Sequence, residues 1–133
     1  MATFRSYTEL DLWQRARALE NKIFNLTKNG SLAKDYGLKD QMNRSTGAIM
    51  DNIAEGFGRG SKLEFIQFLT ISRGSAAELQ SQLYRCLDRG YIEKELVEQL
   101  IEDCEDISKM ITSFIAYLNK SEFKGQKFKS RTT

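Results

Sequence analysis

Apolar residues recur along the chain at alternating steps of three and four, in four successive segments. Steps of this kind return to one side of an α-helix, because a helix completes a turn every 3.6 residues. The four stripes are Leu12, Ala16, Leu19, Ile23 and Leu26; Leu38, Met42, Ser45, Ile49, Asn52, Ile53 and Gly56; Phe65, Leu69, Ser72, Ala76, Leu79, Leu83 and Cys86; and Leu96, Leu100, Cys104, Ile107, Ile111, Phe114 and Leu118. The pattern predicts helices at about residues 8–28, 38–57, 61–89 and 93–119.

The connections between the predicted helices indicate how they pack. Two of them, at residues 58–60 and 90–92, are so short that the helices they join must be antiparallel neighbours. An apolar spacing near 3.5 residues suits nearly parallel packing. We therefore expect an all-α fold, an up-down antiparallel four-helix bundle over residues 1–119. Residues 120–133 form a basic tail that we expect to be disordered.

The segment NIAEGFGRGSKLEF, residues 52–65, has three glycines at alternate positions and invites comparison with a phosphate-binding loop. A Walker loop needs glycine directly before its lysine and serine or threonine directly after it. Lys62 instead lies between Ser61 and Leu63. A dinucleotide fingerprint needs the spacing G-x-G-x-x-G after a strand, whereas here the spacing is G-x-G-x-G after a helix. Neither nucleotide loop is indicated.

The same segment is better interpreted as a corner between two helices. Gly56 or Gly58 can adopt the left-handed conformation that ends a helix. Ser61 and Glu64 have the spacing of a capping box, which supplies hydrogen-bond partners to the first amides of the next helix.

The composition favours no catalytic chemistry. The chain has no histidine, the commonest general base and metal ligand near neutral pH. Cys86 and Cys104 lack the close partner of a zinc or redox motif and are interpreted as small core residues. We expect a protein that is not an enzyme, with no cofactor, metal or small-molecule substrate. No apolar run is long enough to span a membrane, and the N-terminus lacks a signal-peptide core, so we expect a cytoplasmic protein.

Three stretches of the sequence resemble a known family. They are DLWQRARALENKIFNLT, NIAEGFGRGSKLEFIQFLTISRGSAAELQSQL and DRGYI. Together they resemble the bacterial four-helix bundle family first noticed as reading frames in intervening sequences of 23S rRNA genes, over roughly residues 9–118. The resemblance implies a bundle that assembles as a homopentameric ring. It also implies distant kinship to the accessory variability determinant of diversity-generating retroelements, a basic bundle that assists a reverse transcriptase and its RNA. The family brings no established activity or cofactor.

Charge is unevenly distributed along the chain. Residues 1–90 hold 13 basic and 10 acidic side chains, residues 91–119 hold two and seven, and residues 120–133 hold five and one. The tail interleaves its basic residues with two phenylalanines, a composition that suits single-stranded nucleic acid and equally suits a frayed, soluble end. Arg59 and Lys62 lie near free amides at a helix start, where a phosphate could bind. The candidate nucleic-acid-binding residues are Arg15, Lys22, Arg44, Arg59, Lys62, Lys124, Lys127, Lys129 and Arg131.

A second stripe on the third helix faces away from its apolar stripe and consists of small residues. A solvated face would normally carry charge, so a row of small side chains suggests that another surface comes close. On the first helix Trp13 and Phe24 share an outward stripe, where two exposed aromatic rings would favour association. The alternative is that these two rings only broaden the bundle's own core. The candidate oligomer-interface residues are Trp13, Phe24, Thr70, Gly74, Ala77 and Ser81.

Two functions remain open at this point. The first is an oligomeric RNA-binding or DNA-binding accessory protein that acts through backbone electrostatics. The second is a structural or protein-interaction scaffold with no nucleic-acid role. Basic residues gathered on one face would favour the first, and basic residues spread around the assembly would favour the second.

Overall fold

The computed structural model describes residues 4–120, and these form an all-α fold. Its four long helices are α1 (Asp11–Leu26), α2 (Tyr36–Gly58), α3 (Lys62–Asp88) and α4 (Lys94–Lys120). Short 3-10 turns at Tyr7–Glu9 and Leu32–Lys34 precede α1 and α2. Within the described residues there is no strand. The predicted all-α fold with four helices is therefore confirmed. Lys120, the first residue of the predicted tail, is the last residue of α4, and residues 121–133 lie outside the described residues.

The four helices close into a bundle in which each helix has two main neighbours. Helix α1 packs against α2 and α4, α2 packs against α3, and α3 packs against α4. The common core is formed by the predicted stripes, and the largest fully buried side chains include Phe65, Met42 and Ile49. One position of the fourth stripe is wrong: Leu96 is exposed and Val97 is buried in its place. The core-facing side of α4 therefore starts one residue later than the spacing indicated.

The starts of the first two helices differ from the expected positions for reasons visible in their caps. Ser6 accepts a hydrogen bond from the Thr8 amide and initiates the separate 3-10 turn, so α1 begins at Asp11 and not at about residue 8. The Asp35 carboxylate accepts from the Leu38 amide at 3.3 Å, so α2 begins at Tyr36 and not at residue 38. Aspartate is a strong N-cap residue because its side chain supplies an acceptor to an otherwise unpaired amide.

The glycine corner joins α2 to α3, but its conformation differs from the expectation. Neither Gly56 nor Gly58 has positive φ; Gly60 does, at 76°. Both earlier glycines remain helical because Arg59 still donates its amide to the carbonyls of Glu55 and Gly56. One of the two hydrogen bonds of the predicted capping box is present: the Ser61 hydroxyl accepts from the Glu64 amide at 3.3 Å.

Gly56 has a packing role that the sequence did not reveal. A Cβ atom added there would lie 2.7 Å from the Cβ of Phe68 and 3.0 Å from Cδ1 of Phe65. Carbon atoms in contact normally lie about 3.5–4.0 Å apart. Glycine at this position therefore lets α2 approach the backbone of α3 more closely than any other residue would.

Candidate nucleic-acid and protein-interaction surfaces

The two basic candidates on α1 face the acidic helix α4. Lys22 Nζ lies 2.9 Å from an Asp103 carboxylate oxygen, and Arg15 Nη2 lies 3.6 Å from Asp106. Both basic side chains remain about half exposed. Their charges are balanced by neighbouring carboxylates, so this part of the surface has no net excess of positive charge for a phosphate backbone.

The basic candidates near the corner are also engaged with their surroundings. Arg59 Nε lies 3.4 Å from a Glu55 carboxylate oxygen, and the guanidinium lies 5.1 Å from the centre of the Phe68 ring. The Glu64 amide at the start of α3 is already paired with Ser61. Lys62 is exposed beside it. This corner therefore has fewer free donors for a phosphate than the sequence suggested.

Arg44 lies on the exposed side of α2, far from the corner. It lines a groove of about 380 Å³ between α2 and α3, together with Ser45 and Glu78. Ser45 donates to the Glu78 carboxylate at 3.2 Å. Fifteen residues of helix separate Arg44 from Arg59, which is a distance of roughly 22 Å along the axis. The described basic candidates are thus distributed over separate parts of the bundle and do not form one face.

The remaining charged surfaces agree with the sequence where the structure describes them. Glu98, Glu102 and Glu105 are exposed on the side of α4 opposite its buried stripe. The tail candidates lie outside the described residues; they are Lys124, Lys127, Lys129 and Arg131.

The outward side of α3 carries no charge from Leu63 to Ala77; beyond this stretch, Glu78 and Arg85 are exposed on the same side. We call the uncharged exposed residues of this side the α3 face; they are Leu63, Gln67, Thr70, Ile71, Gly74, Ala77, Ser81 and Tyr84. Leu63 is 68% exposed, Ile71 52% and Tyr84 54%. The Thr70 hydroxyl donates to the Ile66 carbonyl of its own helix at 2.9 Å, so its proton does not need water as a hydrogen-bond acceptor. The small stripe predicted from the sequence therefore lies between three large, exposed apolar side chains that the sequence analysis missed.

The two aromatic candidates on α1 have different environments. Trp13 is only 9% exposed, and its ring packs edge-on against Tyr7 with centroids 5.1 Å apart. The expectation of an outward-facing Trp13 is therefore wrong, because the N-terminal 3-10 turn folds over it and adds it to the protomer's own core. Phe24 is 47% exposed and faces outward, with Lys28 Nζ 4.6 Å from its ring centre.

A polar cluster that the sequence did not predict ties three segments together around Asp35. Its carboxylate accepts from the Tyr91 hydroxyl at 2.8 Å and from Arg89 Nη1 at 2.7 Å, in addition to capping α2. The hydrogen bond from Tyr91 and the capping amide of Leu38 lower the pKa of Asp35 below its usual value. The hydrogen bond to Asp35 in turn raises the pKa of Tyr91. The cluster consists of satisfied structural contacts and has no free reactive group.

Both cysteines are buried in the core, as their positions in the stripes indicated. Burial raises the pKa of Cys86 to about 11 and that of Cys104 to about 12. Since the thiolate is the reactive form, both side chains are inert near neutral pH. Among residues 4–120, no three histidine, cysteine or acidic side chains are arranged to hold a metal ion. In the same range, none of the helices has the length and apolarity needed to cross a bilayer.

Comparisons with known proteins identify the family. No curated protein matches the chain significantly. A crystal structure of a protein of unknown function from the S23 ribosomal protein family of Bacteroides thetaiotaomicron is similar, with 25% identity and a TM-score of 0.73. The alignment covers 79% of this chain and 95% of that chain. The 23S rRNA-intervening sequence protein family matches residues 8–113. Since this match includes most of its 133 residues, the chain belongs to the 23S rRNA-intervening sequence protein family.

Proposed function

We propose that this protein is a non-enzymatic, self-assembling scaffold of the cytoplasm, and that the α3 face is its contact surface. The observation that carries the proposal is the run of six exposed, uncharged positions from Leu63 to Ala77 along one side of α3. An uncharged stretch of surface that exposes large apolar side chains such as Leu63 and Ile71 is typical of a surface that another protein covers. The homopentameric ring implied by the family resemblance is the assembly we expect.

The shape of the α3 face suggests how the copies meet. Gly74 has open space around it, with no atom within 4 Å of an added Cβ, and Ala77 and Ser81 continue this shallow strip. A shallow strip accepts a large side chain from a neighbouring protomer. The exposed ring of Phe24 on α1 is a suitable insert. A contact between two different surfaces is head-to-tail, and it closes into a ring when the rotation between copies permits.

The test places an arginine in the centre of the α3 face. We expect Gly74→Arg and Ala77→Arg to lower the molecular mass measured by light scattering to that of a smaller species, because a buried, unpaired charge opposes association. Circular dichroism should remain largely helical, since both positions are exposed in the protomer. The matched control is Gln99→Arg, an exposed position on α4. The interface is refuted if both α3 variants keep the parent mass.

A second candidate function is the binding of RNA or DNA through the basic tail. The observation that favours it is the tail's composition of five basic and one acidic residues with two phenylalanines. Nearly all of its affinity would come from charge neutralisation. The dispersal of Arg15, Lys22, Arg44 and Arg59 over the bundle supports the scaffold as the first choice.

Gel shifts with single-stranded RNA and DNA at several salt concentrations test the second candidate. The logarithm of the affinity should fall by about 0.7 for each phosphate neutralised per tenfold rise in salt. Deletion of residues 121–133 should reduce both the affinity and this slope. An affinity and slope unchanged by the deletion would show that the tail does not carry the binding.

A further inference from the structure

One end of the bundle has an apolar groove formed by the N-terminal segment and the last three turns of α4. We call it the terminal groove. It joins a cavity of about 250 Å³ to a wider depression of about 430 Å³. The two share Met110 and Phe114. The first is lined by Phe4, Glu9, Leu10, Asp11, Leu12, Met110 and Phe114, and the second by Lys109, Met110, Ser113, Phe114 and Tyr117.

The terminal groove has an apolar floor and a border with two acidic residues, Glu9 and Asp11, and one basic residue, Lys109. Exposed carboxylates of Glu9 and Asp11 lie on its N-terminal side. On α4, Asp106 precedes Met110 by four residues and Glu102 precedes Asp106 by four, so these side chains continue along one side of the helix. Asp106 already pairs with Arg15 at 3.6 Å, so a basic tail residue would share this carboxylate with Arg15. A segment that combines aromatic rings with several basic side chains is the chemistry that such a groove accepts.

We propose that the terminal groove binds residues 121–133 of the same chain. Helix α4 ends at Lys120, only three residues beyond Tyr117 in the groove. The tail carries Phe123 and Phe128, which suit the apolar floor. After a reversal of direction, Lys129 and Arg131 come next to the acidic side of α4.

The length of the tail is sufficient for this path. Asp106 lies fourteen helical residues before Lys120, about 21 Å along the axis. Thirteen residues span at most about 43–47 Å when extended, so the tail can turn and still reach Asp106. A segment tethered this closely has an effective concentration near the millimolar range. This favours the tail of the same chain over a free peptide of similar composition.

The docked tail would regulate the second candidate function. Its basic residues cannot pair with the acidic residues of the border and with a phosphate backbone at the same time. Nucleic acid and the terminal groove would therefore compete for the tail. The proposal does not depend on the α3 face, which lies on another helix, and the experiment below does not measure nucleic-acid binding.

Disulfide trapping in the full chain tests the docking. Ser113→Cys places a thiol in the groove and Gln126→Cys places one in the tail. The native cysteines do not interfere because they are buried and their pKa values are raised. The control pair is Thr112→Cys with Gln126→Cys, since Thr112 is exposed on α4 at a similar distance from Lys120 but faces Arg73 of α3 and does not line the groove. Mass spectrometry under non-reducing conditions measures the rate of disulfide formation within one chain.

We expect the groove pair to form an intrachain disulfide about ten times faster than the control pair, a factor that corresponds to 1.4 kcal/mol. Adding Phe128→Ser to the groove pair should remove most of this advantage. High salt should also reduce it, because exposed ion pairs are screened. Equal rates for the two pairs would overturn the proposal. Disulfides formed mainly between two chains would overturn it as well, because the tail would then dock on another copy.

Discussion

The substitution Gly56→Ala tests the packing of α2 against α3 with a single added methyl group. The new Cβ would lie 2.7 Å from Phe68 Cβ, 3.0 Å from Phe65 Cδ1 and 3.3 Å from the Phe65 carbonyl oxygen. Two of these atoms belong to the backbone or lie next to it, so no side-chain rotation can relieve the contact. The two helices would have to separate by up to about 1 Å for carbon atoms to reach normal contact distance.

The cost of this separation can be estimated from the surroundings of Phe65. Its side chain is fully buried, with its ring 6.0 Å from the Phe57 ring and 5.6 Å from the Phe114 ring. An added methylene in a well-packed core costs about 1–3 kcal/mol. Replacing glycine by alanine in a helix returns up to about 1 kcal/mol. We therefore expect the free energy of unfolding to fall by about 1–2 kcal/mol.

The assay is urea denaturation monitored by circular dichroism. The parent and the variants are compared at the same protomer concentration, because association would otherwise change the apparent stability. Gly47→Ala is the matched control. It lies in the same helix, and an added Cβ there meets no atom within 4 Å. The free energy of unfolding of Gly47→Ala should rise by about 0.4–1 kcal/mol. If Gly56→Ala were as stable as the parent or stabilised like the control, the close approach of the helices at Gly56 would be wrong.

Two further predictions concern titratable groups. The pKa of Asp35 is lowered in the folded protein, so its contribution to stability is present above the ordinary pKa of 3.8 and is lost as the pH falls through the folded value. Asp35→Asn should therefore be less stable than the parent at pH 7, and urea denaturation at a series of pH values should show this difference shrinking below about pH 4. Cys86 and Cys104 should not react with a thiol reagent at pH 8 in the folded protein and should both react in urea, because burial raises their pKa to about 11 and about 12. Rapid labelling of either residue without denaturant would contradict its burial.

The sequence predicted the four helices because their apolar stripes are long and regular, and burial in a common core is what such stripes require. It did not predict features that depend on contacts between distant segments. The burial of Trp13 requires the turn that carries Tyr7 to fold over it. Similarly, the pairing of Lys22 with Asp103 joins residues 81 positions apart. Spacing along one helix contains no information about either contact.

For the candidate surfaces too, the sequence predicted what a single helix determines and missed what depends on contacts between helices. The small stripe on α3 was predicted because periodicity places its residues on the exposed side of a single helix. The exposed Ile71 and Tyr84 were missed because each lies at the edge of that side, where the helical wheel alone does not distinguish core from surface. Leu63 lies in line with the small stripe but was missed because it is in the first turn of α3, before the stripe begins. Gly56 was interpreted as a helix terminator because glycine serves both for left-handed turns and for close packing. The choice depends on how near the next helix lies.

The polar cluster at Asp35 has a consequence for the order in which the chain folds. Its partner Arg89 is 54 residues away and Tyr91 is 56 residues away. Both contacts require α2 and α3 to be paired over their whole length, from the corner at Gly60 to the opposite end. Contacts that close such a long loop are costly to form early, because the entropy of the chain must be lost before they contribute. The cluster should therefore form after the folding transition state, and its main effect should be to slow unfolding.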